Sequence, residues 1–541
     1  MNTGLLADSL PILPGDGFRD GLSRYHDLTV KPFPRFEPIA KPPDTSASSP
    51  APAEQRATAP WQWALLGLIT LLAAGLRAYE LGAKTFWLDE GMSVAIARLD
   101  WYNFARILWR REGNMSLYYL LLHFWLHLGN GEAFVRSLSV VLAVATVPAI
   151  YLLGRRLYSS RAGLIAAALL AVNAFHIRWS QEARSYSLLV LLCVLSSLFF
   201  LKCLDAPTRT NRFAWVLSSV LAVYAHFFAG LLLLSQWISL RWLASPPGII
   251  KKGFRWAALA ILPLVIFAAK TGAGPLHWVK RPGPRDLWNF AVHLTGSGGP
   301  LLLFLYVAAC AAALEGVQQS WRKQTVPWDA WRYRFLLLWL LFPPLLILLF
   351  SWARPLFVPR YFIFCLPPLL LLAAAGLARL GSPWAWAPAA LLVVGLSFFG
   401  ALSHRNEFDP ERDDWRSTSQ YVLSNSRPGD AVIFHIAAAR MPYEFYLSLA
   451  GRPGNSPEVL YPYSGTRITF QDFGAKPDYA GLARSLPRYQ RVWLVLSHAG
   501  ADDAPDQIHS SLSNLLGDRY ADVATYHFQG IEVRLYARPK G

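Results

Sequence analysis

Repeated apolar runs constrain the fold of this 541-residue chain more than any other feature of its sequence. Many of these runs are about 17–25 residues long, the length at which a helix crosses the hydrocarbon core of a bilayer. Charged residues make up 16% of the chain and the mean hydropathy is +0.29, whereas about a quarter of the residues in a soluble domain are charged. The sequence therefore predicts a mainly α, polytopic membrane protein.

Three regions follow from the distribution of the apolar runs. Residues 1–60 are rich in Pro, Ser and Ala, and they predict a disordered cytoplasmic leader. Residues 61–403 hold the runs, and residues 404–541 are mixed and polar. The predicted spans are 61–79, 133–153, 162–178, 186–204, 213–226, 228–243, 256–271, 299–317, 335–352, 361–380 and 384–402, or about eleven in all. The run 117–128, LYYLLLHFWLHL, is too short to cross, so we expect it to lie along the membrane or to re-enter it.

Lysine and arginine in the short loops predict the orientation of the chain. The predicted inner loops include 154–161, 206–212, 241–255 and 321–334, and most of them are basic, as cytoplasmic loops usually are. This places the segments 83–132, 272–298 and 353–360 on the outer face of a bacterial cytoplasmic membrane. The net charge of +17 lies mostly in clusters beside the apolar runs, so we predict no nucleic-acid partner.

The C-terminal region predicts a small α/β domain outside the membrane. A helix-like stretch, DDWRSTSQYVLSNS, precedes strand-like stretches at 431–435, 492–497, 521–528 and 531–537. It has neither a GxGxxG fingerprint nor a phosphate-binding loop, so we expect no nucleotide. Two roles fit this domain equally well: it contacts the acceptor, or it forms a structural cap over the outer site.

Three polar motifs fall on the predicted outer face. They are FWLDEGMS with Asp89 and Glu90, HIRWSQEARSYS at 176–187, and RPLFVPRYF at 354–362. Charged residues at membrane depth cost about 2–3 kcal/mol each on insertion scales, so they usually mark a site. Taken singly, each motif also has a plain interpretation, as a solvated helix start, a structural ion pair or an interfacial anchor.

Taken together, the motifs indicate chemistry on a lipid with an anionic head. A phosphate leaving group needs fixed cations, and arginine supplies paired donors. A hydroxyl or amine nucleophile needs a base, and a carboxylate within hydrogen-bond reach can serve. We therefore predict Asp89 as that base. His226, at another outer turn, and Lys280 and Arg281, in a basic outer loop, are further substrate-binding candidates.

The motifs resemble a known family. FWLDEGMSVAIAR, the stretch from LYYLLLHFWLHL through SQEARSYSLLVLL, and FVPRYFIFCLPPLLLLAAAGLARL are similar to bacterial glycosyltransferase family 39 proteins of the GT-C fold. Relatives include protein O-mannosyltransferases, the aminoarabinose transferase of lipid A and Rgt-type galacturonosyltransferases. The resemblance runs from about Trp61 to Leu380. It implies an inverting transfer from a polyprenyl-phosphate sugar donor to lipopolysaccharide, another envelope glycan or a protein, without a metal or other cofactor.

The resemblance also implies roles for individual residues. Asp89 matches the catalytic aspartate of the first outer loop, and Glu90 lies beside it. Arg360 and Tyr361 match the motif near the donor phosphate, where we also place Arg184. The remaining substrate-binding candidates of the second motif are Gln181, Glu182 and Tyr186.

One motif departs from the family pattern. Many relatives read HPPLYYLLLHLW where this chain reads NMSLYYLLLHFW, so Asn114, Met115 and Ser116 replace the histidine and both prolines. His123, His176 and His226 could take over the role of that histidine, although a lone histidine at an interface is usually an ordinary hydrogen-bonded residue.

Two other functions fit the same features. A lipid or sugar transporter would also have many spans and a few buried charges, but its charges should lie near the midplane, in repeated halves. A non-catalytic glycolipid-binding subunit would explain the missing histidine and prolines. Cysteine accessibility of Asp89, Glu182 and Arg360 from both sides of the membrane would favour the transporter, whereas donor binding without hydrolysis or transfer would favour the binding subunit.

Overall fold

The computed structural model describes residues 59–243, 245–271, 279–315, 328–405, 413–462, 468–498, 500–501 and 504–538. The predicted leader lies outside these residues except for its last two positions. The described residues belong to one compact unit.

Helices dominate the described residues up to Arg405. They are α1 (Pro60–Ala78), α2 (Leu88–Ala97), α3 (Trp101–Arg110), α4 (Ser116–Trp125), α5 (Glu132–Leu157), α6 (Ser160–Val172), α7 (Ala174–Ser180), α8 (Tyr186–Asp205), α9 (Arg209–Ala225), α10 (Ala229–Ser239), α11 (Gly248–Thr271), α12 (Pro284–Leu294), α13 (Gly299–Leu314), α14 (Trp328–Ser351), α15 (Leu366–Arg379) and α16 (Pro383–Arg405). A tighter helical segment, Pro359–Cys365, leads directly into α15.

Each predicted span coincides with a helix, but not every such helix is long enough to cross a membrane. Within the described residues seven helices are long and apolar enough, or up to nine if each of two bent helix pairs forms one span. The predictions 213–226 and 228–243 correspond to α9 and α10, which have 17 and 11 residues. The polytopic membrane fold is therefore confirmed, whereas the number of eleven spans is not.

The predicted span 162–178 is broken. Helices α6 and α7 meet at Asn173 with a bend of 58°. The break leaves the last carbonyl groups of α6 without helical N–H partners. The buried guanidinium of Arg77, at the end of α1, donates to the carbonyl oxygens of Leu170 (3.0 Å) and Ala171 (2.9 Å). The Asn173 side chain accepts the N–H of His176 and so begins α7. This bend turns the chain into the motif at 176–187.

Helix α5 is central to the helical region, and it packs against α1, α6 and α8. Its contact with α6 is close because glycines face each other there. A Cβ atom on Gly163 would lie 2.6 Å from the carbonyl oxygen of Tyr151. Small residues of this kind let membrane helices approach backbone to backbone. The packing holds α5, α6 and α8 as one frame beneath the outer motifs.

The segment between α1 and α5, which we predict to lie on the outer face, folds into three short helices, α2, α3 and α4. The run 117–128, predicted as too short to cross, forms the ten-residue α4, whose Tyr118, Tyr119 and Leu122 are buried against its neighbours. Helix α3 is amphipathic, with exposed Trp101 and Trp109. These helices lie between the long helices and the C-terminal region.

The C-terminal region forms the predicted α/β domain. Its strands are β1 (Ala431–Phe434), β2 (Glu458–Tyr461), β3 (Arg491–Ser497), β4 (Gly500–Ala501), β5 (Ala504–Pro505), β6 (Ala521–Phe528) and β7 (Ile531–Ala537), and its helices are α17 (Trp415–Asn425), α18 (Arg440–Leu449), α19 (Tyr479–Ser485) and α20 (Gln507–Gly517). The main sheet has the order β2-β1-β3-β7-β6, parallel across β2-β1-β3 and antiparallel from β3 to β6. All four predicted strands are present, whereas β2 and the two-residue strands β4 and β5 were not predicted.

Both faces of the sheet are covered. Val432, Phe434 and Trp493 point into the core shared with the membrane helices, whereas Ile433 and Leu494 point into a second core with α19 and α20. This burial on both faces explains why β1 and β3 are continuous apolar runs rather than alternating ones. The first face brings α17 and α18 towards the outer segment that carries Asp89.

Candidate active site

The first motif lies at the start of α2. Asp89 and Glu90 are both in its first turn, where the helix dipole favours negative charge. The Asp89 side chain is 30% exposed, whereas that of Glu90 is fully buried. Successive residues on a helix point about 100° apart, so the two carboxylates face different surroundings.

Asp89 meets an arginine from each of the other two motifs. Its Oδ2 atom lies 3.6 Å from Nη2 of Arg184 and 3.8 Å from Nη2 of Arg360. Arg184 also donates from Nη1 to the carbonyl oxygen of Asp89 and to Oγ of Ser93, both at 3.4 Å. Three segments that are remote in the chain therefore converge on one carboxylate, as the sequence predicts.

Glu90 has a different partner. Its carboxylate forms a two-point ion pair with the buried Arg136 of α5, with both N–O distances at 2.7 Å. Oε1 also accepts the N–H of Ala183 at 3.0 Å, and Arg136 donates to the carbonyl oxygens of Leu81, Lys84 and Thr85. This geometry favours a structural role for Glu90, because a carboxylate that is already paired and fully enclosed is poorly placed to meet a substrate.

Aromatic rings surround the Arg360 guanidinium. Its central carbon lies 5.7 Å from the ring centroids of Trp87, Trp179 and Tyr361. Such contacts orient a guanidinium and favour its charge. The ring of Tyr361 lies 4.9 Å from that of His226, which in turn is 6.5 Å from Tyr186. Tyr361, Tyr186 and His226 thus belong to the same aromatic wall.

The remaining predicted site residues are Gln181, Glu182, Lys280 and Arg281, and they lie in different surroundings. Gln181 donates from Nε2 to the carbonyl oxygens of Arg77 (3.1 Å) and Tyr79 (3.0 Å), which ties the second motif to the end of α1. Glu182 is buried. Lys280 and Arg281 are exposed ahead of α12, and no hydrogen bond or ion pair in the described part of the chain joins them to Asp89.

The segment that replaces the family's histidine and prolines has a distinct backbone. Met115 is buried with φ = +65°, a conformation that proline, fixed near −65°, cannot adopt. The Oδ1 atom of Asn114 accepts the N–H of Phe227 at 3.0 Å, and Ser116 donates to the carbonyl oxygen of Tyr224. Asn114 and Ser116 therefore fasten this segment to the turn that holds His226.

Among the residues that the structure describes, no hydrogen bond or ion pair joins any of the three candidate histidines to Asp89, and each takes part in a hydrogen bond elsewhere. The ring of His123 bonds to the carbonyl oxygen of Ala97 (2.7 Å), that of His176 to Arg77 (2.8 Å), and that of His226 to the N–H of Phe228 (3.3 Å). Across the described residues there is no group of three or more His, Cys, Asp or Glu side chains that could hold a metal ion. Independence from metal stays a prediction.

The sequence motifs missed two residues. Arg136 lies near the start of the predicted span 133–153, and only its charge within an apolar run could have marked it. Glu112 follows α3, near Asp89 and Arg184. Burial raises the pKa of Glu112 to about 7, with Arg184 acting to lower it and Asp89 to raise it. The Glu112 carboxyl group, with a pKa raised to about 7, therefore lies beside the candidate site.

Comparison with known proteins supports the fold. Residues 115–271, less than a third of the chain, match the family model described as dolichyl-phosphate-mannose-protein mannosyltransferase. No curated protein matches. The solved structure of ArnT from Cupriavidus metallidurans in the apo state is similar with a TM-score of 0.58 and 13% identity, over 88% of this chain and 97% of ArnT.

Two ligand-bound structures are also similar. The first is ArnT of the same organism bound to undecaprenyl phosphate, with a TM-score of 0.57 and 13% identity over 88% of this chain and 98% of ArnT. The second is the archaeal oligosaccharyltransferase AglB from Archaeoglobus fulgidus in complex with an inhibitory peptide and a dolichol-phosphate, with a TM-score of 0.50 and 12% identity over 89% of this chain and 74% of AglB. Both are GT-C glycosyltransferases. The chain therefore has the GT-C fold of membrane glycosyltransferases.

Proposed function

We propose that this chain is a membrane glycosyltransferase that moves a sugar from a polyprenyl-phosphate donor to an acceptor. The transfer takes place on the outer side of the bacterial cytoplasmic membrane, and the acceptor is lipopolysaccharide, another envelope glycan or a protein. The observation that carries this proposal is the position of the Asp89 carboxylate between Arg184 and Arg360.

The spacing of these three residues suits an anionic ligand. Separations of 3.6 and 3.8 Å exceed the length of a hydrogen bond. Asp89 therefore does not occupy the guanidinium donors tightly, and a phosphate can share them. Arginine presents its donors in a planar fork that matches phosphate oxygens. The undecaprenyl phosphate bound by ArnT and the dolichol-phosphate bound by AglB support the same class of donor.

The proposed reaction is a single displacement. Asp89 takes the proton of the acceptor hydroxyl, and the hydroxyl oxygen forms a bond to the anomeric carbon of the sugar. The bond from that carbon to the phosphate oxygen breaks, and its electron pair leaves with the polyprenyl phosphate. Arg184 and Arg360 stabilise the charge that grows on the phosphate. Attack opposite the leaving group inverts the anomeric configuration.

The remaining residues support this arrangement. Tyr361, Tyr186 and His226 form an aromatic wall beside Arg360, where a sugar ring can pack. Gln181 and Glu182 belong to the turn that brings Arg184 to Asp89. We assign Lys280 and Arg281 to substrate binding at the exposed rim, and we replace the catalytic role expected for Glu90 with a structural one.

The test is turnover of a synthetic donor by the full chain in proteoliposomes. We expect the release of polyprenyl phosphate and the appearance of a product whose anomeric configuration, measured by NMR, is opposite to that of the donor. Movement of intact donor across the bilayer without cleavage would identify a transporter instead. Tight binding without cleavage, for every polyprenyl-phosphate sugar and acceptor tried, would identify a binding subunit.

A further inference from the structure

The C-terminal domain contacts the chain segment that carries Asp89. We call residues 81–98, which lead into α2 and include it, the Asp89 segment. Helix α18 packs directly on α2, and Arg416, in the first turn of α17, reaches the residues just before α2. We propose that the C-terminal domain, through Arg416, Pro442, Phe445 and Tyr446, positions the Asp89 segment for catalysis. This inference rests on the function proposed above.

Arg416 fastens the backbone ahead of α2. Its guanidinium donates to the carbonyl oxygens of Gly82 (2.7 Å) and Ala83 (3.2 Å) and forms an ion pair with Glu132 at the start of α5. Its backbone N–H donates to Oγ1 of Thr85 at 3.0 Å. One side chain thereby joins three elements, which are the C-terminal domain, the Asp89 segment and the central helix.

Tyr446 extends the same attachment towards Asp89. Its buried hydroxyl accepts the N–H of Phe86 at 2.8 Å, lies 3.1 Å from Oγ1 of Thr85 and donates to the Glu132 carboxylate. The adjacent Phe445 stacks on Phe86, with the ring centroids 4.3 Å apart and the planes 20° apart. Hydrogen bonds to Phe86 fix the backbone three residues before Asp89, so they influence the direction in which α2 begins.

Helix α2 itself touches α18 without any intervening side chain. A Cβ atom added at Gly91 would lie 2.6 Å from the backbone nitrogen of Pro442 and 2.8 Å from its Cα atom. Because both neighbours are backbone or ring atoms, an added methyl group must push the helices apart. At the far end of α2, Arg98 donates to Oγ of Ser448 at 2.8 Å and lies over the ring of Phe445.

These contacts favour a positioning role for the C-terminal domain over the alternative that it only caps the outer face. Helix α2 has ten residues, and a helix this short is marginal without tertiary support. Its first turn carries Asp89 on one side and the Glu90–Arg136 pair on the other. The Glu90 pair fixes α2 to α5, and α18 packs against the face that carries Gly91. The two attachments together determine where the Asp89 carboxylate lies relative to Arg360.

The first test replaces one hydroxyl group. Tyr446→Phe removes the bonds to Phe86 and Glu132 and keeps the ring. We expect kcat to fall about 10-fold or more, since small displacements of a reacting group are costly, while KM for the donor stays within about twofold because Arg184 and Arg360 remain. Tyr489→Phe is the matched control, because it removes a comparable hydroxyl–carboxylate bond, to Glu458, elsewhere in the same domain. It should leave kcat unchanged.

The second test adds one methyl group. Gly91→Ala should lower kcat and loosen the Asp89 segment. Gly75→Ala in α1, where nothing lies within 4 Å of the added Cβ, is its control and should have no effect. Amide hydrogen exchange of residues 86–98, measured on the full chain in nanodiscs, reports loosening independently of activity. We expect faster exchange there in Tyr446→Phe and Gly91→Ala and not in the two controls.

The outcomes separate this inference from the proposed function. Unchanged exchange in both variants, or faster exchange with an unchanged kcat, would overturn the positioning role. Equal losses of kcat in Tyr446→Phe and Tyr489→Phe would also overturn it, since general destabilisation would then explain both. If the wild-type chain cleaves no donor, the proposed function fails, and the exchange data still decide whether the C-terminal domain holds the segment.

Discussion

Asp89 and Glu90 are neighbours in one helical turn, yet they differ in how closely arginine side chains approach them. Glu90 is fully enclosed and bonded at 2.7 Å to a single partner, Arg136. Asp89 is partly exposed and lies 3.6–3.8 Å from two partners. The tight pair belongs to the framework, whereas the looser cluster holds two guanidinium groups beside a partly exposed carboxylate. Distance and exposure, rather than residue type, therefore indicate which carboxylate can act on a substrate.

Changing Asp89→Asn should have the largest effect on activity. The amide keeps the size of the side chain but cannot accept the acceptor's proton, so we expect transfer to fall about 10³-fold or more. Thermal stability in detergent should change little because the contacts to Arg184 and Arg360 are long. Transfer assays in proteoliposomes provide the measurement, and near-normal turnover by the variant would remove Asp89 from the base role.

Changing Glu90→Gln should have the opposite outcome, a loss of stability rather than a direct loss of catalysis. Arg136 would keep its charge in a buried place without a counter-charge, which costs about 3 kcal/mol or more. We expect a lower melting temperature and a lower yield of folded protein in the membrane. Asp205→Asn breaks a half-exposed pair with Arg156 and is the control. Full stability of Glu90→Gln together with lost turnover would restore a catalytic role to Glu90.

Arg360→Lys should produce a smaller, donor-specific effect. Lysine keeps the positive charge but loses the planar fork and its fit among the rings of Trp87, Trp179 and Tyr361. We expect binding of polyprenyl phosphate to weaken about 10-fold, or about 1.4 kcal/mol. Arg354→Lys, at an exposed position in the same outer segment, should bind the lipid normally. Equal effects of the two substitutions would contradict a specific contact with the phosphate.

Glu112→Gln should have the smallest effect on activity, and its effect on stability depends on pH. Because the pKa of Glu112 is raised from 4.5 to about 7, its protonated form stabilises the folded chain below about pH 4.5, and this contribution is lost as the pH rises through about 7. We expect the wild type to lose about 2 kcal/mol over that window, less than the full shift implies because the side chain is partly exposed.

The melting temperature measured between pH 5 and 8 tests this prediction. The Glu112→Gln variant cannot titrate at this position, so its profile should be flatter than that of the wild type. Parallel profiles for the two proteins would show that Glu112 does not have the raised pKa.

Much of the fold was predictable because the membrane imposes a simple length rule. Each predicted span coincides with a helix, and the four predicted strands are present. The number of spans was harder to predict, since α9 and α10 have only 17 and 11 residues, and hydropathy alone does not show where a helix ends. The strand β2 was missed because four residues at an edge carry little pattern.

The candidate site was predictable in part. Asp89, Arg184 and Arg360 were chosen because charge is costly at the boundary of an apolar run, and the structure brings them together. The same reasoning could not separate Asp89 from Glu90, since adjacent carboxylates look alike until their partners are known. Arg136 and Glu112 went unnoticed because their significance comes from contacts made between elements, which a local motif does not contain.

The bend between α6 and α7 makes the first helix more than a membrane anchor. The carbonyl groups exposed by that bend are satisfied by Arg77, which α1 contributes from its last turn. A chimera with a generic apolar helix in place of α1 would still insert into the membrane, but the carbonyl oxygens of Leu170 and Ala171 would lose the hydrogen bonds that Arg77 donates. Fusions and truncations of this protein should therefore keep the native chain through Arg77, and a change at that position should disturb a motif about a hundred residues further along the sequence.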